Sequence, residues 1–72
     1  MNARRPLTRI QRQVLSFVES YVGRHGYAPS LRDINDHFGW SSQNAAGQHL
    51  LLIEKKGYIR RTPSISRGIV IL

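Results

Sequence analysis

Apolar residues recur along the first third of the chain at Ile10, Val14, Phe17, Val18, Tyr21 and Val22. That spacing is one stripe of an amphipathic helix. Thr8 stands ahead of the stripe with Gln11 three residues on, a T-x-x-Q capping box. Gly23 weakens the helix, and Gly26 offers it a left-handed stop. Tyr27, Ala28 and Pro29 should be extended, because a residue before proline avoids the α region. A shorter stripe, Leu31, Ile34 and Phe38, then follows Ser30 as N-cap, with Asp33 in the first turn and Gly39 at the end. Gly39, Trp40 and Ser41 read as a tight turn, and Ser41 or Ser42 caps a third helix over residues 42–56. Gly57 stops that helix, with Lys55 and Lys56 near its negative end. Residues 58–61 and 68–72 are short β-prone runs around a turn-rich stretch at 62–66, which predicts a two-stranded hairpin. The expected domain is residues 7–72, preceded by a flexible basic arm at 1–6.

The third helix has an unusual composition for a surface element of so small a domain. At about 100° per residue, Ala46, His49, Leu50 and Ile53 fall on one side and face the core. Asn44, Gln48, Leu51 and Lys55 fall on the opposite side. Ala45 and Gly47 flank that outer face, and Ser42 stands at its N-terminal end. The outer face is therefore small, amide-bearing and basic. Asn and Gln can each make two hydrogen bonds to adenine in the DNA major groove, while Ala and Ser types can touch a thymine methyl or a base edge. Gly47 costs about 1 kcal/mol against alanine inside a helix, and it permits close backbone approach. A short helix, a glycine turn and a second helix make the helix-turn-helix arrangement.

Charge strengthens this reading. Eleven Lys and Arg oppose four Asp and Glu in 72 residues, a formal net charge of +7. Such an excess in one small domain points to an anionic partner, with nucleic acid first and a membrane surface a weak second. Phosphate contacts are expected from Arg32 on the second helix, Ser41 in the turn, and Lys55 and Lys56 at the end of the third helix. Arg60 and Arg61 on the first strand and Arg67 in the hairpin loop complete that set. No apolar run approaches the roughly 18 residues a membrane span needs, and no apolar segment follows the basic start as in a signal peptide. The expected location is the cytoplasm, at the bacterial nucleoid or in a phage-infected cell. With no cysteine, disulfides and thiolate metal sites are excluded. His25, His37 and His49 share no metal-type spacing. The four acids are scattered, no serine has a local histidine base, and no glycine loop cradles phosphate. The pattern therefore carries no catalytic residue, metal, cofactor or small-molecule substrate, and it argues against an enzyme.

The stretches LTRIQRQVLSFV, GYAPSLRDI, FGWSSQNAAGQHLLLIEKKGYI and SRGIVIL, at their joint spacing, resemble the N-terminal DNA-binding domain of the LexA family, the bacterial SOS-response repressors. The resemblance covers residues 7–72. It implies a winged helix-turn-helix, mainly α with a small β-hairpin as the wing, that binds double-stranded DNA and represses transcription. It places base contacts on Ser42, Asn44, Ala45, Gly47 and Gln48, and it implies a homodimer on two half-sites. Gly47 and Gln48 stand where enterobacterial members look acidic, so the family's CTGT-type half-site is left open. Gln43 replaces a proline common at the start of the family's helix. LexA proteins also carry a second domain with a Ser–Lys self-cleavage site. The only lysines here are Lys55 and Lys56, beside the DNA helix, so this chain is either an excised domain or a free-standing phage- or plasmid-type relative. The alternative to DNA binding is a protein-interaction winged helix, such as a small phage factor docking on a host protein.

Overall fold

The structure, a computed structural model, describes residues 5–62 and 64–72. Its elements run α1 (Arg9–His25), α2 (Leu31–Phe38), α3 (Ala45–Lys55), β1 (Ile59–Arg61) and β2 (Ile69–Ile71). The strands pair antiparallel, with Ile59 opposite Ile71, Arg60 opposite Val70 and Arg61 opposite Ile69. Three helices with a two-stranded hairpin match the element order that the sequence pattern predicts and the winged helix-turn-helix that the family resemblance implies. No helix among the described residues is long and apolar enough to cross a membrane.

Local signals set the first two helices as expected. Thr8 Oγ accepts from Gln11 N–H while the Gln11 side chain accepts from Thr8 N–H. Ser30 and Asp33 repeat the device at α2, satisfying amides that a helix start otherwise leaves unpaired. Gly26 and Gly39 close α1 and α2 in the left-handed conformation. At the end of α3, Gly57 N–H bonds Glu54 O and Tyr58 N–H bonds Ile53 O. This is a Schellman ending, for which Gly57 adopts φ of 93°.

α3 lies at the centre, touching α1, α2 and β1. Its Ala46, Leu50 and Ile53 are fully buried against Val14 and Val18 of α1, Ile34 of α2, Ala28, and Ile59 and Ile69 of the sheet. Two details differ from the sequence expectation. Ile10 is 47% exposed, and the stripe on α1 is completed instead by Gln11, only 5% exposed. Gln11 can be buried because its amide oxygen takes Thr8 N–H and the Lys56 ammonium, the latter at 2.7 Å. The strands are also shorter than the β-prone runs: Tyr58, Gly68 and Leu72 lie just outside them, although Leu72 N–H still bonds Tyr58 O at 3.0 Å.

Candidate nucleic-acid interface

The outer surface of α3 forms as the helical angles predict. Asn44, Gln48 and Lys55 are exposed, and Ala45 and Gly47 are half-buried at its flank. Leu51 is 47% exposed among them. His49, on the other side, stacks on Trp40 at 4.7 Å, and Trp40 stacks on Phe38 at 4.7 Å. That aromatic stack closes the end of the core next to the turn.

The start of α3 differs from expectation. The helix begins at Ala45, not at residue 42, and Asn44 is its N-cap in an αR conformation without a side-chain cap bond. Ser42 Oγ accepts from Asn44 N–H, at 3.3 Å, ahead of the helix. The missing cap is supplied across the turn by Asn35 of α2. Its carbonyl oxygen accepts from Ala46 N–H at 3.1 Å, and its amide donates to Gln43 O at 3.3 Å. Asn35 is 9% exposed, so this two-sided pairing is also what permits its burial. One side chain thus fixes α2 against the first turn of α3. The sequence does carry a signal for it. Residues 31, 34, 35 and 38 share an i, i+3, i+4, i+7 stripe, and Asn35 is the one amide on it.

Several of the expected phosphate-binding residues share one side of the molecule. Ser41, Ser42 and Arg32 border a recess of about 420 Å³ between α2 and the turn into α3. Arg32 also reaches a second recess of about 250 Å³, where it joins Arg61, Ser30, Ile65 and Ser66 between α2 and the wing loop. Arg32 lies 4.0 Å from Asp36, with both side chains almost wholly in solvent, so the pair holds Arg32 only weakly. Arg60 is exposed opposite Val70 on the outer face of the sheet. Arg61 N–H donates to the Glu54 carboxylate at 3.1 Å, fastening β1 to α3.

Two of the cations expected as phosphate ligands make bonds within the protein. Lys56 Nζ donates to Pro6 O at 3.0 Å as well as to Gln11. With the Tyr58 hydroxyl donating to Arg5 O at 2.7 Å, it holds residues 5 and 6 of the expected arm against the end of α3 and β1; residues 1–4 lie outside the described residues. Arg67 Nη1 donates to Asp33 Oδ2 at 2.9 Å, Ala28 O at 3.0 Å and the Tyr21 hydroxyl at 3.3 Å. Asp33 also accepts from Ser30 N–H and the Tyr21 hydroxyl. The Ser30 amide first, and Arg67 with the Ser30 and Tyr21 hydroxyls after it, hold the Asp33 carboxyl below the usual carboxylate range against a smaller opposing effect of burial. Sequence periodicity reveals the local Ser30–Asp33 pair but not its links to Tyr21 and Arg67, which lie 12 and 34 residues from Asp33 and meet it only in the folded chain.

Gly47 is the informative glycine of the surface. A Cβ placed on it would meet only Leu31 Cδ1, at 3.9 Å, an ordinary contact. Its φ is not positive. Nothing within the described residues therefore requires glycine there.

The family model described as LexA DNA binding domain matches residues 4–68. Similar curated proteins are LexA repressors. That of Petrotoga mobilis is 54% identical over 63 residues, that of Thermosipho africanus 49% and that of Geobacter metallireducens 48% over the same length. Each alignment covers 88% of this chain and 30–31% of the relative, so the chain spans about a third of the length of the relatives it matches. With the family match running through all three helices and into the wing, the chain belongs to the LexA DNA-binding domain family.

Proposed function

We propose that this domain binds double-stranded DNA sequence-specifically, with α3 in the major groove, and acts in transcriptional repression. The observation that carries the reading is the division of α3. Ala46, Leu50 and Ile53 are wholly buried, while Asn44, Gln48 and Lys55 are exposed on the opposite side, and Arg32 borders both the recess with Ser41 and Ser42 and the one with Arg61. A helix so held is rigid enough to aim its amides at base edges. Asn44 and Gln48 suit adenine, Ala45 and Ser42 suit a thymine methyl or a base edge, and Gly47 allows close approach. The remaining cations position the backbone phosphates. Lys56 and Arg67 contribute mainly by holding the arm and the wing. One domain contacts one half-site, and two copies on half-sites about one helical turn apart would give useful affinity. The proposed location is the cytoplasm, and no catalysis is proposed.

Selection of bound duplexes from a random pool tests this directly. A preferred sequence should emerge, and log affinity should fall with log salt at about −0.9 per neutralised phosphate. Asn44→Ala should cost about 1–3 kcal/mol and relax preference at one base pair. Unchanged affinity and preference in that variant would refute the assignment of α3. The competing reading, a protein-docking surface, rests on Leu51 and Leu52, 47% and 45% exposed on α3. Failure of any duplex to be enriched would favour it.

A further inference from the structure

We propose that Arg67 is the positioning residue of the wing. It clamps the hairpin loop to the α1–α2 pair, and so sets where the loop end of the wing meets a duplex relative to α3. The inference rests on the DNA-binding reading for its consequence, though not for the clamp itself.

The wing loop is closed on itself. Thr62 N–H bonds Gly68 O at 2.8 Å, Ile65 N–H bonds Thr62 O at 3.1 Å, and Gly68 N–H bonds Ile65 O at 3.1 Å. Gly68 is needed for that closure, since a Cβ on it would lie 2.6 Å from Thr62 O and 3.0 Å from Ile65 O. A compact loop moves as a body, so it needs few anchors to be fixed, and without them it can swing. At its base, the strands are held through buried Ile59 and Ile69 and through Glu54. At its far end, among the described residues, the side-chain hydrogen bonds from residues 64–68 to the helices all come from Arg67.

The three acceptors of Arg67 come from three segments: Tyr21 of α1, Ala28 of the connection and Asp33 of α2. Its guanidinium carbon also lies 4.9 Å from the Tyr27 ring centroid and 6.0 Å from that of Tyr21, within cation–π range. All three hydrogen bonds leave the single nitrogen Nη1, whose two N–H groups are shared among the three acceptors. Asp33 Oδ2 meanwhile accepts the Ser30 amide at the start of α2. The same carboxylate oxygen therefore anchors the wing and caps the helix that leads into the turn. Through it the wing, α2 and, by way of Asn35, α3 are registered as one surface.

The test turns on a sign. If Arg67 were chiefly a direct phosphate ligand, Asp33→Asn would remove a negative charge, release Arg67 and tighten DNA binding. The clamp requires the opposite. The amide oxygen of the substituted side chain could still accept the Ser30 amide, so α2 stays capped, but the wing loses its charged anchor. Affinity is measured for the duplex that the wild-type protein enriches from a random pool. Arg67→Ala and Asp33→Asn should each weaken binding by about tenfold if the wing then sits in place about a tenth of the time. The double variant should be no weaker than Arg67→Ala alone, and Arg67→Lys should recover part of the loss. In the free protein, nitrogen relaxation at the Ser66 and Gly68 amides should report a loosened loop in both single variants. Tighter or unchanged binding by Asp33→Asn, or an unchanged loop in Arg67→Ala, overturns the clamp. If the wild type enriches no duplex, the DNA reading fails, and the relaxation measurement still decides the clamp.

Discussion

Replacing Gly47 by alanine should make the protein more stable and a poorer DNA binder at once. Gly47 is the third residue of α3 and has no positive φ. Its absent Cβ leaves room in which the nearest atom is Leu31 Cδ1, 3.9 Å away. The protein thus accepts a methyl there without strain and gains one ordinary contact. Alanine also restricts the unfolded chain and suits a helix better, an effect of about 0.4–1 kcal/mol. For a domain of 72 residues, unfolding entropy near the midpoint is about 150 cal/mol/K, so Tm should rise by about 3–7 °C. Total stability at this size is about 4–11 kcal/mol, so the present glycine forgoes a noticeable part of it. The reason is sought outside the protein, where a methyl at the flank of the amide-bearing face would hold the helix backbone off the groove. Affinity for the selected duplex should therefore fall by about tenfold, the equivalent of about 1.4 kcal/mol. Differential scanning calorimetry and duplex titration of the same samples decide the matter. A lower Tm would refute the reading of the space around residue 47. A higher Tm with unchanged affinity would refute close approach as its purpose.

Asn35→Ala should strip Ala46 N–H and Gln43 O of their partner and cost about 1–3 kcal/mol by denaturant titration; a loss below about 0.5 kcal/mol would show that the turn does not depend on it. Gly68→Ala forces Thr62 O and Ile65 O apart and should cost about 1–3 kcal/mol, with disturbed wing amides in NMR spectra; a native spectrum would contradict the tight loop. Because the Asp33 carboxyl is held below its ordinary value of about 3.9, its contribution to stability is present above that value and is lost as pH falls through the lower, folded-state one. The stability gap between wild type and Asp33→Asn should thus be full at neutral pH and close in acid, and a gap independent of pH would sink the assignment.

The parts of the fold set by neighbours in sequence are legible without the structure. The capping boxes at Thr8 and Ser30 and the glycine stops at 26, 39 and 57 each use residues within one or two turns of one another. The inward face of α3 is legible for the same reason, since Ala46, Leu50 and Ile53 follow a single period. Periodicity misjudges position 10 because it counts apolarity, whereas Gln11 is buried through a bond to Lys56, 45 residues away. The local pattern misplaces the start of α3 because serine is a good cap in isolation, and only the fold brings Asn35 to Ala46 N–H. The roles of Lys56 and Arg67 are hidden likewise. A basic side chain on a basic protein reads as solvent-facing until a distant acceptor is placed beside it.

α3 carries two separable demands, and that explains its mixed composition. Its intrinsic helix tendency is poor at Gly47, and its own cap is lacking, so as an isolated segment it would barely form. Packing of Ala46, Leu50 and Ile53 into the core, Asn35 across the turn and the Schellman ending at Gly57 hold it from three directions without using its outer face. That face is consequently released from folding, and Asn44, Gln48 and Gly47 can be chosen for what lies outside. It follows that substitutions on the inner face should change stability with little effect on which bases are preferred, while those on the outer face should change preference with little loss of stability. Asn35, Glu54 and Arg67 are side chains at which that separation should break down, because each holds α3 or the wing by a bond made inside the protein.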